Sequence, residues 1–349
     1  MRILIASVKI PFIRGGAEIL AEGLLAALKA AGHQAELVEI PFKWYPPEKI
    51  LDHMLACRLL DLTESTGTKV DLLIGLKFPA YLIPHPNKVL WVLHQHRQAY
   101  DLWNHPIAKD MILAPNGAEI RDAITQADTK LLPESRGIYT ISKNVSSRMA
   151  RFCGVESNPL YHPPPSAERF TPLPAEDYFF FPSRLTPIKR QSIVVEALAL
   201  TRNPVRLCLA GPPDVPSYLD DLKNMAAKLG VLNRIEFTGG ISEEDKLNRY
   251  ARSLGVVFTP VDEDYGYVTL EAMLSAKPVI TCTDSGGPNE FLDASTGFVV
   301  DPEPAKLAAA LDELWENRTQ AEAMGQRALD RYHAMNIGWP HVVKTLLQA

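Results

Sequence analysis

The chain has few cysteines, no long apolar run and no surplus of basic residues. Its four cysteines, Cys57, Cys153, Cys208 and Cys282, are scattered along the chain without a CxxC pair. This spacing argues against a disulfide framework, so we expect reduced thiols in the core, as in a cytoplasmic protein. No apolar stretch reaches the 18 residues that a membrane-spanning helix needs, and no signal-peptide core follows Met1. The sequence therefore predicts a cytoplasmic protein without a transmembrane segment.

The net charge and the length of the chain exclude further classes of protein. The net charge is −5, which argues against a general nucleic-acid binder, because such proteins need an excess of Lys and Arg. Hydrophobic residues make up 46% and charged residues 22% of the chain, an ordinary globular composition. At 349 residues we expect two domains. The acidic surplus lies in the second half, so any phosphate bound there must meet a local group of cations.

Short apolar runs alternate with longer amphipathic segments, a pattern typical of parallel sheets with crossover helices. The predicted strands of the first half are 2–7, 34–40, 72–75, 89–93 and 137–142. Those of the second half are 178–182, 206–210, 235–238, 256–259 and 279–281. Predicted helices include 17–31, 191–200, 217–228 and 305–328, together with one that begins at a capping box of Ser242 and Asp245. The fold class is therefore α/β.

A proline-rich segment separates the two halves. It contains Pro163-Pro164-Pro165, Pro172 and Pro174, so it cannot be helical, and we expect an extended linker over 160–176. The predicted domains are 1–165 and 166–335, followed by a final segment, 336–349. Two such domains in tandem create a cleft, and ligands of open α/β sheets bind beyond the carboxyl ends of the strands.

In the first half, two strand ends carry unusual residues. Gly15-Gly16 opens a helix whose N-terminus favours anions, although a plain turn explains it equally, and the GxGxxG spacing of nicotinamide or flavin sites is missing. His94 and His96 follow the strand at 89–93. A substrate-binding loop fits them better than zinc, since no third ligand accompanies them. A structural histidine is the alternative.

In the second half, cations gather where the first strand ends. Ser183-Arg184-Leu185 is followed by Lys189 near a helix start. A guanidinium and an ammonium beside a helix N-terminus can clamp a diphosphate and neutralise a departing phosphate. The alternative is a solvated, charged turn.

The densest segment runs from Val261 to Met273. Glu263 lies in its loop and Glu271 on the following helix, so both carboxylates can point into one crevice and hold vicinal sugar hydroxyls. Asp262-Glu263-Asp264 also matches the DxD pattern of some metal-dependent sugar transferases, a motif that is common by chance.

A second glycine pair follows the strand at 279–281. We expect Gly286-Gly287 to present backbone N–H groups to an anion or a sugar, with Pro288 starting a helix; a tight turn is the alternative. Backbone groups near Gly239 are expected to grip a nucleotide base.

Together these motifs resemble the retaining GT-B glycosyltransferases of family 4, the glycosyl transferases group 1. The resemblance runs from Arg2 to the carboxyl terminus, through the motifs above and through Pro278-Val279-Ile280. Ser275-Ala276-Lys277 departs from it, where a small residue and glycine are more usual. The resemblance implies two Rossmann-like domains facing across a cleft, a donor held mainly by the second domain and an acceptor on the first. It also implies that the final helix crosses back to the first domain, where we expect Trp339 to be a structural anchor.

The resemblance also implies residue roles. Arg184 and Lys189 would bind the donor diphosphate, Glu271 the ribose, and Glu263 the transferred hexose. His94 matches the family's histidine that faces the donor sugar, with His96 as the rival. The substrate-binding residues expected are Gly15, Gly16, Ser183, Gly239, Gly266, Tyr267, Val268, Glu271, Gly286, Gly287 and Glu290.

The implied activity is transfer of a hexose from a UDP-sugar or GDP-mannose to a hydroxyl group, with retention and without a metal or other cofactor. The acceptor would be a sugar, a lipid-linked molecule or a small molecule in polysaccharide, glycolipid or glycoconjugate synthesis, and peripheral membrane association is compatible with this reading. Two alternatives stay open: a non-catalytic nucleotide-sugar binder of the same fold, and a nicotinamide-dependent oxidoreductase, which the missing GxGxxG disfavours.

Overall fold

The computed structural model describes residues 1–12, 14–105 and 109–349. Ile13, which belongs to the predicted turn before Gly15, and residues 106–108 lie outside the described residues. Contacts divide the chain into two units. Unit 1 comprises Met1–Pro165 and Ile337–Ala349, and unit 2 comprises Ser166–Asn336.

Unit 1 is built on a six-stranded parallel sheet in the order β2-β1-β5-β6-β7-β8. Its strands are β1 (Arg2–Lys9), β2 (Gln34–Pro41), β5 (Leu72–Gly75), β6 (Lys88–Val92), β7 (Gly137–Thr140) and β8 (Asn158–Pro159), and β3 (Glu64–Ser65) pairs with β4 (Thr68–Lys69) as a small antiparallel hairpin. Its helices are α1 (Gly16–Ala30), α2 (Lys49–Leu59), α3 (Gly117–Leu131), α4 (Lys143–Cys153) and, from the end of the chain, α11 (Trp339–Gln348). The strand order reverses between β1 and β5, because β2 lies on one side of β1 and β5 on the other.

Unit 2 repeats this architecture with the order β11-β10-β9-β12-β13-β14, again all parallel. Its strands are β9 (Phe179–Pro182), β10 (Leu207–Ala210), β11 (Ile235–Gly239), β12 (Gly255–Val257), β13 (Val279–Cys282) and β14 (Gly297–Val300). Its helices are α5 (Gln191–Leu200), α6 (Pro216–Lys228), α7 (Glu243–Arg252), α8 (Tyr267–Leu274), α9 (Pro304–Glu316) and α10 (Arg318–Ala334). The order reverses between β9 and β12, the crevice where open α/β sheets bind ligands.

Burial explains why these runs form strands. Phe179, Phe180 and Phe181 of β9 are fully buried, as expected for a central strand covered on both faces. Gly297 of β14 must be glycine, because a Cβ there would lie 2.2 Å from the carbonyl oxygen of Val279 on β13. The four cysteines are free and buried, as the sequence predicts.

Several elements differ from the expectations. The predicted helix over 305–328 is two helices, α9 and α10, which are separated at Asn317. Strand β14 was not predicted, because its apolar run in the sequence is only three residues long, Phe298 to Val300. Helix α2 was not predicted either. Its buried face carries Ile50, Met54 and Cys57, but Leu51, Leu55 and Leu59 are exposed and blur the helical period.

The end of the chain packs on unit 1, as predicted. Helix α11 buries Val342, Val343 and Leu346. The Trp339 ring lies so close to Gly23 of α1 that a Cβ at Gly23 would be 2.4 Å from it. The same ring meets Trp91 of β6 edge-on, with ring centres 6.2 Å apart. Trp339 is thus an anchor of unit 1. Within the described residues, no helix is long and apolar enough to cross a bilayer.

Candidate active site

The predicted donor residues of unit 2 gather at the carboxyl edge of its sheet. Arg184 and Lys189 follow β9, Glu263 follows β12, and Gly286 follows β13. Strands β9 and β12 are neighbours, and the strand order reverses between them. These residues, which are far apart in the sequence, therefore lie at one edge of the sheet.

Lys189 and Glu263 form an ion pair across this reversal point. Both side chains are half-buried, with 17% and 26% of their surface exposed. The Lys189 ammonium also lies 5.4 Å from the centre of the Phe258 ring. Partial burial strengthens the electrostatic attraction. An incoming phosphate can therefore compete with Glu263 for an ammonium that is already positioned.

Arg190 is a structural residue that the sequence did not assign. Its backbone is left-handed, with φ +56°, and its guanidinium donates at 2.8 Å to the carbonyl oxygens of both Thr259 and Pro260. The same group forms a two-pronged contact with Asp284, at 2.8 and 2.6 Å. Arg190 therefore fastens the segments after β9, β12 and β13 together. The sequence contains one signal for this role: two adjacent cations, Lys189 and Arg190, after β9 and an acidic residue, Asp284, after β13.

Arg184 is more accessible than Lys189. Its guanidinium donates to Asp214 at 2.7 Å, and 64% of its side chain is exposed. Gln191 of α5 holds the loop by donating to the Arg184 carbonyl oxygen at 2.9 Å, and Ser183 donates its hydroxyl to the same oxygen. A surface ion pair of this kind contributes little stability. Arg184 can therefore change partner at low cost.

The acidic loop and the glycine loop pair with each other through the backbone. The N–H of Glu263 donates to Ser285 O at 2.9 Å, and the N–H of Gly287 donates to Glu263 O at 2.8 Å. A Cβ at Gly287 would lie 2.8 Å from both Asp264 O and Tyr265 O. Gly287 is thus required for close backbone approach. Its N–H serves this contact and is not presented to a ligand, which corrects the expectation from sequence.

Glu271 lies on α8, whose N-cap is Gly266 at φ +89°. One carboxylate oxygen accepts from the Tyr250 hydroxyl at 2.7 Å, and the other from the Lys246 ammonium at 3.1 Å. Only 8% of the Glu271 side chain is exposed. Burial raises the pKa of Glu271, while Lys246 and the Tyr250 hydrogen bond oppose this rise. A ribose hydroxyl would have to share the carboxylate with these partners, which the sequence did not reveal.

The remaining predicted residues of unit 2 border the same edge. Tyr267 and Val268 form the first turn of α8, where helical N–H groups have no partner within the helix. Gly239 ends β11 at φ +66°, and its carbonyl accepts from Gly211 N at 2.8 Å. Glu290 ends the short turn that begins at Gly287. Ala276 adopts φ +50°, a conformation that explains why glycine is usual there.

Unit 1 carries the other predicted residues. Gly15 caps α1, and its N–H donates to the Glu18 side chain at 2.8 Å, while Gly16 is the first helical residue. His94 follows β6, and its Nδ1 lies 2.6 Å from Gln95 O. The His96 ring packs against Phe78, with ring centres 5.4 Å apart. Burial, with a smaller contribution from His94, lowers the pKa of His96 to about 3, so His96 is neutral at physiological pH.

A cavity of about 630 Å³ lies elsewhere, at the amino ends of β9, β10 and β11. Two of its arginines are matched by acidic partners, Arg249 by Glu236 and Arg252 by Glu176. It lies at the edge opposite to the one where parallel sheets bind ligands, so we do not assign the donor site to it. No group of three or more metal-ligating side chains occurs within the described ranges.

The two parallel sheets with their helices form two Rossmann-like domains. This is the α/β fold of GT-B glycosyltransferases. The chain is similar to sucrose-phosphate synthase from Thermosynechococcus elongatus, with a TM-score of 0.77, 16% identity and coverage of 99% of this chain and 97% of the other. It is also similar to Anabaena HepE in complex with UDP and glucose, with a TM-score of 0.72, 17% identity and coverage of 100% and 98%.

Residues 167–331 match the family model described as Glycosyl transferases group 1. A similar curated protein is D-inositol 3-phosphate glycosyltransferase from Corynebacterium efficiens, 32% identical over 167 residues. That alignment covers 46% of this chain and 39% of the relative. The chain thus spans about two fifths of the length of this relative, and the matched family segment lies within unit 2.

Proposed function

We propose that the protein is a glycosyltransferase that moves a hexose from a nucleotide-diphosphate sugar to a hydroxyl group, with retention of configuration. The observation that carries this proposal is the Lys189–Glu263 pair at the strand-order reversal of unit 2, within the segment that matches the glycosyl transferases group 1. The UDP and glucose named for the similar Anabaena structure support a nucleotide-sugar donor.

In this proposal the reaction is driven by charge stabilisation. As the anomeric C–O bond breaks, its electron pair goes to the diphosphate and positive charge develops on the sugar ring. Arg184 and Lys189 stabilise the negative charge on the leaving group. The acceptor oxygen forms the new bond on the same face, and its proton goes to the departing phosphate. Neither Glu263 nor Glu271 is assigned as a covalent nucleophile.

The other residues bind and orient the donor. Glu271 receives the ribose hydroxyls by sharing its carboxylate with Lys246 and Tyr250. Glu263 changes partner from Lys189 to the hexose when the diphosphate draws the ammonium away. His94 is assigned to the donor sugar in preference to His96, because the His96 ring packs against aromatic residues. The donor is a UDP-sugar or GDP-mannose, and we propose a metal-independent reaction in the cytoplasm.

A panel of UDP-, GDP- and ADP-sugars tests this proposal. The full-length protein is incubated with each donor, with and without sugar acceptors, and free nucleotide and glycosylated product are measured. We expect one donor class to release nucleotide faster when a suitable acceptor is present. Nucleotide binding without any turnover would instead support a non-catalytic sensor of the same fold. No binding of any nucleotide-sugar would refute both.

A further inference from the structure

Unit 1 contains a fully buried carboxylate that the proposed mechanism does not use. Asp128 of α3 has no exposed surface, and none of its contacts within the described part of the chain is with a cation. Burying a carboxylate without a counterion is costly unless hydrogen bonds compensate. Such a group calls for an explanation beyond packing.

In the described part of the chain, side chains supply the compensating hydrogen bonds. The Tyr81 hydroxyl donates to both carboxylate oxygens, at 2.9 and 3.0 Å. The Tyr100 hydroxyl donates at 2.7 Å and the Gln95 amide at 3.0 Å, both to Oδ2. The Gln95 amide and the Tyr100 hydroxyl also touch the sulfur of Cys153, at 3.1 and 3.5 Å. Burial raises the pKa of Asp128 to about 6, while these hydrogen bonds oppose the rise.

Two of the three donors lie on one segment, the one that follows β6 and begins with His94. Gln95 is the next residue, and Tyr100 follows a short turn over Arg97–Ala99. Asp128 therefore ties this segment to α3 at both of its ends. Since β6 is fully buried, the segment is anchored by the sheet on one side and by Asp128 on the other.

Gln95 links this anchor to the imidazole of His94. Nδ1 of His94 lies 2.6 Å from the backbone oxygen of Gln95. A carbonyl oxygen only accepts hydrogen bonds, so Nδ1 must carry a proton, and in the neutral form of the ring the lone pair is then on Nε2. The Gln95 backbone sets the tautomer, and the Gln95 side chain is held by Asp128.

We infer that Asp128 is a positioning residue that acts through Gln95 to hold the His94 imidazole in one orientation, with its proton on Nδ1. The role of His94 on the donor sugar rests on the proposed function, whereas the tautomer does not. Asp312 of unit 2 provides a contrast. It is also buried, but it accepts from the backbone N–H groups of Arg202 and Asn203 at 2.9 and 3.1 Å, an ordinary structural role.

The test uses full-length variants and nuclear magnetic resonance of ¹⁵N-labelled histidine, with His94 assigned by a His94→Gln variant. Gln95→Leu and Asp128→Leu remove the link, and we expect His94 to move from the Nδ1–H form towards the Nε2–H form. Asp128→Asn should keep the parent spectrum, because one amide oxygen can still accept from both Gln95 and Tyr100. Asp312→Asn is the matched control in the other unit.

Kinetics give the second readout. With a donor that the parent enzyme turns over, Gln95→Leu should lower kcat by about 10- to 100-fold, the usual loss when an orienting partner is removed, with little change in donor KM. A His94 that keeps Nδ1–H in both folded Leu variants would overturn the inference, whatever their activity. If Asp128→Leu does not fold, Gln95→Leu decides alone. If the parent transfers no sugar, the proposed function fails, and the tautomer experiment still tests the positioning role.

Discussion

The carboxyl edges of the two sheets differ in their chemistry. In unit 2, charges come in matched pairs: Lys189 with Glu263, Arg190 with Asp284, and Arg184 with Asp214. In unit 1, the carboxyl ends of β1 and β2 border a cavity of about 360 Å³ that is lined mainly by aromatic and apolar side chains, including Phe42, Trp44 and Tyr45. One buried charge of unit 1, that of Asp128, has no cationic partner among the described residues.

This difference explains how each edge can work. Charge pairs that are exposed, such as Arg184–Asp214, or only partly buried, such as Lys189–Glu263, can exchange partners when an anionic ligand arrives, so the edge of unit 2 suits a diphosphate. Aromatic faces offer flat apolar surface with few polar groups, which suits a weakly charged molecule. A buried carboxylate held by neutral donors cannot exchange partners in this way, so it fixes geometry instead.

The largest expected effect is the loss of stability on removal of the last helix, and it tests the comparison because it should be confined to unit 1. Removing residues 336–349 deletes α11, together with the packing of Trp339 on Gly23 and Trp91. Losing one large buried side chain costs about 3–5 kcal/mol, and the deletion removes more than one. We expect calorimetry to show a separate, lower melting transition for unit 1 and a lower transfer rate. Lys344→Ala, an exposed change on α11, is the control. An unchanged melting curve would show that the helix contributes nothing to unit 1.

The next largest effect is expected from a substitution in the ion pairs at the carboxyl edge of the unit 2 sheet. Lys189→Ala should lower kcat/KM by about 100-fold or more, because in the proposed mechanism it removes a cation that stabilises charge on the leaving group. Lys223→Ala is a matched control, since the Lys223 ammonium also lies over a ring, 5.9 Å from Phe237, but on the exposed surface of α6. Near-parental turnover in a folded Lys189→Ala protein would refute the diphosphate assignment.

The buried carboxylate of Asp128 predicts a pH dependence of the stability of unit 1. Burial raises the pKa of Asp128 from 3.8 to about 6. The unfolded chain therefore releases this proton first, and the contribution of Asp128 to stability falls as pH rises from about 4 to about 6. The shift corresponds to about 3 kcal/mol. Relative to the parent protein, Asp128→Asn should gain roughly this amount of unfolding free energy between pH 4 and 7 in urea titrations. A constant difference across this range would show that Asp128 does not titrate there.

The same comparison shows what the sequence could predict. The two βα units and the Lys189–Glu263 edge follow from apolar runs and from residue types at strand ends, which are local features. Arg190, Lys246 and Asp128 were missed as partners because each acts across the fold: Arg190 meets Asp284, Lys246 meets Glu271, and Asp128 meets Gln95. Contacts between residues so far apart in the chain leave no periodic signal.

The errors in the predicted helices and loops also have specific causes. Asn317 ends α9 without a proline or glycine, so the sequence indicates one long helix where the structure has two. The use of the Gly287 N–H by Glu263 O follows from loop pairing, which spacing alone does not predict. The glycine requirement itself was predictable, because two neighbouring glycines after a buried strand indicate close backbone approach.

A smaller effect should separate the two carboxylates of unit 2. Glu271→Gln should weaken free nucleotide binding by about tenfold, the scale of one hydrogen bond to a charged group, because Glu271 is assigned to the ribose. Glu263→Gln should leave nucleotide binding intact and lower the transfer rate. Calorimetric titration with the preferred nucleotide measures both. Parental nucleotide affinity in both variants would contradict this division of roles.

Removal of divalent metal ions should have no effect on transfer. This experiment tests whether the cationic side chains at the carboxyl edge of unit 2 are sufficient to bind the diphosphate. The DxD reading of Asp262, Glu263 and Asp264 would place a divalent ion on the diphosphate. In the structure, however, Glu263 is paired with Lys189, and the Asp262 N–H donates to Asp284 O at 2.9 Å, so the loop is organised by cationic side chains and backbone contacts. We therefore expect transfer to survive exhaustive EDTA treatment and to be unaffected by added Mn²⁺ or Mg²⁺. Lost activity that either ion restores would mean that a metal bridges the diphosphate, and Lys189 would then be an auxiliary charge.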